Sequence, residues 1–167
     1  LGRDHVHLIQ LHNSIGPTRV AGESVLTPDD AFEVQDAFKT LQTQGKVTAW
    51  GLTAVGDTDS LHTVIDSGWF NTAQTPYNLL NPSQGGVISD GYPYQDYKDI
   101  VGAASAKRMG IIAIRVLAAG ALSATAERKR HIHKTVELCG FADYDSPLAR
   151  ICVDLGCSKH NISPTRP

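Results

Sequence analysis

Histidine, glutamine and threonine recur at a particular kind of place in this chain, the end of a short apolar run. "LIQLHNS" carries Leu8 to Leu11 straight into His12, before the turn-formers Asn13 and Ser14. "VTAWGLTA" holds Thr53 next to its last residue, Ala54, and "FNTAQTPYN" places Gln74 two residues before Pro76. A neutral imidazole can donate a hydrogen bond and titrates near neutral pH, so His12 suits orienting a polar group or assisting proton transfer. Gln74 is an uncharged donor and acceptor on a run otherwise suited to burial, and such a group requires a partner. A satisfied structural histidine and a structural hydrogen bond are the plainer readings of these two residues.

The elements that position them follow from pattern. "HVHLIQL" is short and rich in branched apolar residues, as a buried strand is. In "TPDDAFEVQDAFKTLQTQGK", Thr27 is a helix cap, Pro28 suits the first turn, and Asp29 and Asp30 suit the positive end of the dipole. Ala31, Val34, Phe38 and Leu41 share one face, and Gly45 stops the helix. "VTAWGLTA" gives a second strand, Asp57 caps a second helix ending at Gly68, and residues 70–78 form a third strand. A helix is expected over 97–108 and a fourth strand over "IIAIRVL", residues 111–117. Alternating strands and helices imply parallel strands with right-handed crossovers, and such folds keep reactive groups at the carboxyl ends of their strands. His12, Thr53, Gln74 and Leu117 fall at or near those ends.

Four motifs in order, "LGRDHVHLIQLHNS", "LQTQGKVTAWGLTA", "AQTPYNLLNP" and "GIIAIRVLAAGALS", resemble the second half of an aldo-keto reductase. The resemblance covers about residues 1–128 and implies an α/β fold, part of a TIM (β/α)8 barrel holding strands four to seven. It implies NADPH-dependent reduction of aldehydes or ketones by hydride transfer, with a small carbonyl compound as substrate. The family's catalytic groups are an Asp, a Tyr, a Lys and a His. His12 matches the histidine, whereas Tyr77 and Tyr92 do not match the tyrosine. The family's Ser-Asn pair for the nicotinamide carboxamide reads here Thr53-Ala54, and its glutamine is Gln74. The aromatic that stacks on the nicotinamide reads Ile114, which keeps an apolar face without a ring. Leu117 closes that strand, and Gly120, Leu122 and Ser123 match the loop along the pyrophosphate, where small residues permit close approach. The motif for the 2′-phosphate is not found.

Residues 129–167 form a divergent segment, with "SPLARICVDLG" expected as a short helix and the final residues as an irregular, disordered tail. His131, His133 and Cys139 match no zinc spacing, so no metal is expected. Arg115 is expected in a salt bridge, and Asn161 heads a glycosylation sequon with no other sign of secretion. Three cysteines fit reduced thiols in a cytoplasmic protein. A net charge of −2 gives no footprint for nucleic acid, and no apolar run reaches membrane-spanning length. Four strands leave two open sheet edges, so the chain is expected to be an incomplete catalyst, a fragment of a longer reductase or a subunit that closes with a partner or another copy. The alternative is a non-catalytic barrel relative that binds nucleotide or serves in an assembly.

Overall fold

The structure, a computed structural model, describes residues 2–118 apart from 89, 91 and 93. Its elements run β1 (Val6–Leu11), β2 (Ser14–Ile15), β3 (Val25–Leu26), α1 (Pro28–Thr43), β4 (Val47–Thr53), α2 (Thr58–Asp66), β5 (Thr72–Pro76), a 3-10 turn (Ser83–Gly85), α3 (Ile100–Ala106) and β6 (Gly110–Ile114). The main sheet has the order β1-β4-β5-β6, parallel throughout. Each helix is a crossover between neighbouring strands, so the fold is α/β and corresponds to part of a (β/α)8 barrel. The chain has two units, Leu1–Tyr77 with Asn81–Ile114, which holds all these elements, and Asn78–Leu80 with Arg115–Pro167.

The helix ends form where the sequence provides for them. The Thr27 hydroxyl accepts from the Asp30 N–H at 3.2 Å, and the Asp30 carboxylate accepts from the Thr27 N–H at 2.9 Å, a reciprocal capping box. Asp57 caps α2 by accepting from the Ser60 N–H and hydroxyl. Gly45 takes a φ of 69°, which ends α1 without the strain a side chain would add.

One face of the sheet is sealed. Leu11, Leu52, Ala73 and Ile111 stand side by side in the register. Leu52 and Ala73 are fully buried, together with Leu61, Val64 and Ile65 of α2 and Ile100 and Ala104 of α3. Each fully buried Leu or Ile contributes roughly 1.5–3 kcal/mol relative to exposure. Phe38 of α1 packs near Trp50, with ring centroids 6.2 Å apart, and the Trp50 indole N–H donates to the Trp69 carbonyl at 2.9 Å.

Four features differ from the sequence expectation. Strand β6 ends at Ile114 rather than 117, because Arg115 adopts a φ of 53° and breaks the extended path. Leu117 is therefore not on the strand; it is 51% exposed in the turn beyond. Helix α3 starts at Ile100 rather than 97, because Lys98 and Asp99 both have positive φ and Asp99 caps from that conformation. The loop after β1 contains the short parallel pair β2–β3, which no pattern in the sequence announced. The expected salt bridge of Arg115 is not seen among the described residues, where its side chain is exposed. The "SPLARICVDLG" helix and the tail lie outside the described residues.

Candidate active site at the carboxyl ends of the strands

The other face of the sheet carries polar side chains among apolar ones. Side chains alternate along a strand, so residues level with one another share a face. Gln10, Gly51, Thr72 and Gly110 form one row. The Gln10 amide N–H donates to the Thr72 hydroxyl at 3.2 Å, reaching across Gly51. A Cβ on Gly51 would stand 2.0 Å from the Thr72 hydroxyl and 2.2 Å from Gln10 Oε1, so only glycine leaves that path clear. Gln10 Oε1 is buried with no hydrogen-bond partner among the described residues.

One layer further toward the carboxyl ends, Thr53 is level with Gln74, and Gln74 with Ile112. The Thr53 hydroxyl donates to Gln74 Oε1 at 3.1 Å. That bond orients the glutamine amide and leaves its N–H groups available on a half-buried residue. His12 lies one residue past the Leu11–Leu52 pair, which sets it beside Thr53 in the register and, by alternation, on the face of Gln10. His12 is exposed, and its ring has no hydrogen-bond partner among the described residues. Ile114, level with Pro76, stands half-buried one layer beyond Ile112 on the same face. The structure thus brings His12, Thr53, Gln74 and Ile114 to one end and one face of the sheet. Gly120, Leu122, Ser123 and the trio His131, His133 and Cys139 lie outside the described residues. Leu117 belongs to the other unit, in which the Asn78 amide donates to the Arg115 carbonyl at 3.2 Å.

Ala54, which follows Thr53, is fully buried, and its N–H donates to the Gln74 carbonyl at 2.7 Å. The backbone of this residue therefore ties β4 to β5, and its methyl belongs to the core.

The connection leaving His12 is anchored. The Ile15 N–H donates to the Val55 carbonyl at 2.9 Å, and the Asp57 N–H donates to the Ile15 carbonyl at 2.8 Å. Gly56, with a φ of 134°, lets the two backbones meet; a Cβ there would lie 1.9 Å from the Ile15 carbonyl oxygen. Arg19 pairs with Asp30 at the start of α1, and that guanidinium, with the Thr27 N–H, holds the Asp30 carboxyl well below the usual carboxylate range. The two Ile15 bonds hold the segment after His12 against the loop after Thr53, and the Arg19–Asp30 pair ties its continuation to α1. They were not foreseen from the sequence, although Gly56 beside the Asp57 cap marks a tight turn.

Among the described residues, no group of three or more histidine, cysteine or carboxylate side chains is placed to hold a metal, and no helix is long and apolar enough to cross a membrane. The model of the Aldo/keto reductase family matches residues 1–165, which runs past the 128 residues covered by the four motifs. No curated protein matches the chain.

Proposed function

The chain belongs to the aldo/keto reductase family, whose members are oxidoreductases that typically use a reduced nicotinamide, and from that premise we propose that it carries part of the site of an NADPH-dependent reductase of aldehydes or ketones. The observation that most supports this reading is the Thr53–Gln74 hydrogen bond beside His12 at the carboxyl ends of adjacent parallel strands. The donor set fits the cofactor. With Gln74 Oε1 engaged by Thr53, the amide N–H groups can donate to the nicotinamide carboxamide oxygen, and Thr53 fixes their direction. Ile114 offers an apolar surface for the ring, and Gly120, Leu122 and Ser123 are assigned to the pyrophosphate by their motif. When bound, NADPH supplies the hydride.

His12 is the substrate-facing group. Its neutral ring donates a hydrogen bond to the carbonyl oxygen, which orients the carbonyl and favours negative charge developing there. The acid, phenol and amine that complete the family's set have no match in these 167 residues. In this reading they come from a further segment or a further chain, which also covers the open edges of β1 and β6. In this reading the protein is cytoplasmic, acts on a small carbonyl compound and has no nucleic acid or membrane partner.

The test is binding and turnover together. Reduced-nicotinamide fluorescence should report weak NADPH binding that Gln74→Leu abolishes, with no oxidation when aldehydes are added. Size-exclusion chromatography should show self-association through the open edges. A monomer that unfolds cooperatively and ignores NADPH would sink this reading in favour of a non-catalytic assembly role.

A further inference from the structure

A pair of histidines lies far from the strand ends just described, at the other end of β1. His5 and His7 are both exposed and two residues apart at the start of this edge strand, a spacing that puts them on one face. Their ring centroids are 5.0 Å apart and the rings are nearly perpendicular, at 86°. His5 Nε2 is hydrogen-bonded to the Thr48 hydroxyl at 2.9 Å.

We propose that His5 and His7 form a two-imidazole chelate for a divalent transition-metal ion such as Zn²⁺ or Cu²⁺, with water completing the coordination. A zinc–nitrogen bond is about 2.0–2.1 Å, and the ring centre lies roughly 1.1 Å behind the nitrogen, so each centroid sits about 3.2 Å from the ion. A tetrahedral angle at the metal then separates two centroids by about 5 Å. The observed separation is that distance before any ion arrives. Rotation about each metal–nitrogen bond is free, so perpendicular rings are no obstacle.

Thr48 supplies the outer support. A ligating histidine normally engages its second nitrogen in a hydrogen bond that fixes the tautomer and the ring. With Nε2 held by Thr48, His5 presents Nδ1 to the ion. Thr48 is itself steadied through its carbonyl, which accepts from the Gln42 amide at 2.9 Å. The neighbourhood sets the class of ion. Arg3, Asp4 and Lys46 line a hollow of about 430 Å³ together with His5. Two cations against one carboxylate disfavour a hard ion held by charge alone, such as Ca²⁺ or Mg²⁺. Imidazole nitrogens favour zinc and copper.

Calorimetric titration of the full chain with Zn²⁺, and separately with Cu²⁺, tests this. His5→Ala and His7→Ala should each weaken binding by more than about tenfold, and Thr48→Val by about tenfold through loss of the outer hydrogen bond. Copper should bind more tightly than zinc. Proton NMR should show Cu²⁺ broadening the His5 and His7 ring signals before those of His12 and His62. Because both side chains are exposed, the circular dichroism of the variants should match the parent. Titrations unchanged in both histidine variants, or broadening that begins at His12 or His62, would overturn the proposal and leave the pair as an edge-to-face ring contact.

Discussion

Leu52 and Thr53 are neighbours in β4, yet they face opposite worlds. Leu52 points to the helices and is fully buried among Leu61, Ile65 and Ala73. Thr53 points to the face that carries Gln10, Gln74 and His12, where contacts are polar and few. The helix face is packed where α1, α2 and α3 cover the strands that precede them. The polar face reads as one wall of a lining, with Gln10 Oε1 buried and unpartnered over Gly51. Stability therefore resides on one side of the sheet and the proposed chemistry on the other, separated by a single peptide unit.

Substitutions should divide along that line. The largest loss is expected from Leu52→Ala, which opens a cavity in the sealed face and should cost about 2–5 kcal/mol in chemical denaturation. That is a large share of an ordinary domain stability of about 5–15 kcal/mol. Next comes Gly56→Ala, where a methyl meets the Ile15 carbonyl and the φ is unsuited to any side chain. Its cost should be about 1–3 kcal/mol, with amide exchange accelerated at Ile15 and Asp57 first. An equal rise in exchange throughout the sheet would instead show that the anchor is not local.

The pH response sharpens the same comparison at the start of α1. The Asp30 carboxyl is depressed in the folded chain, by Arg19 first and then by the Thr27 N–H. A depressed carboxyl contributes stability that is present above its unfolded value, near 3.8, and is lost as pH falls toward the folded one. Acidification below about pH 4 should therefore loosen the Arg19–Asp30 tie, and Asp30→Asn should remove that part of the pH dependence. The smallest effect on stability is expected from His12→Ala, within about 0.5 kcal/mol, since the ring is exposed and unpaired. Thr53→Val should cost under about 1 kcal/mol while freeing Gln74 to rotate, so it should weaken nucleotide binding more than folding.

How much of this was legible in the sequence follows from the same residues. The capping of α1 was readable because Thr27, Pro28 and Asp30 each have a local physical role. Strands β1, β4 and β5 were readable as apolar runs, and His12, Thr53 and Gln74 followed as their ends. The polar row was half visible: Gln10 interrupts an apolar run, and Gly51 sits inside a strand, which signals a close approach without naming the partner. The early end of β6 was not readable, since nothing in the type of Arg115 calls for a positive φ. Nor was β2–β3, because two-residue strands carry no periodic pattern and are defined by the pairing of Ser14–Ile15 with Val25–Leu26.

The division between the two faces has its most direct test in the purified 167-residue chain itself, mixed with NADPH and a panel of aldehydes while nicotinamide absorbance and alcohol product are followed together. The account predicts a folded protein with no turnover, because its helix face is intact and its polar face holds the imidazole without the phenol, amine and acid. Oxidation of NADPH in step with alcohol formation by this chain alone, abolished by His12→Ala, would contradict it.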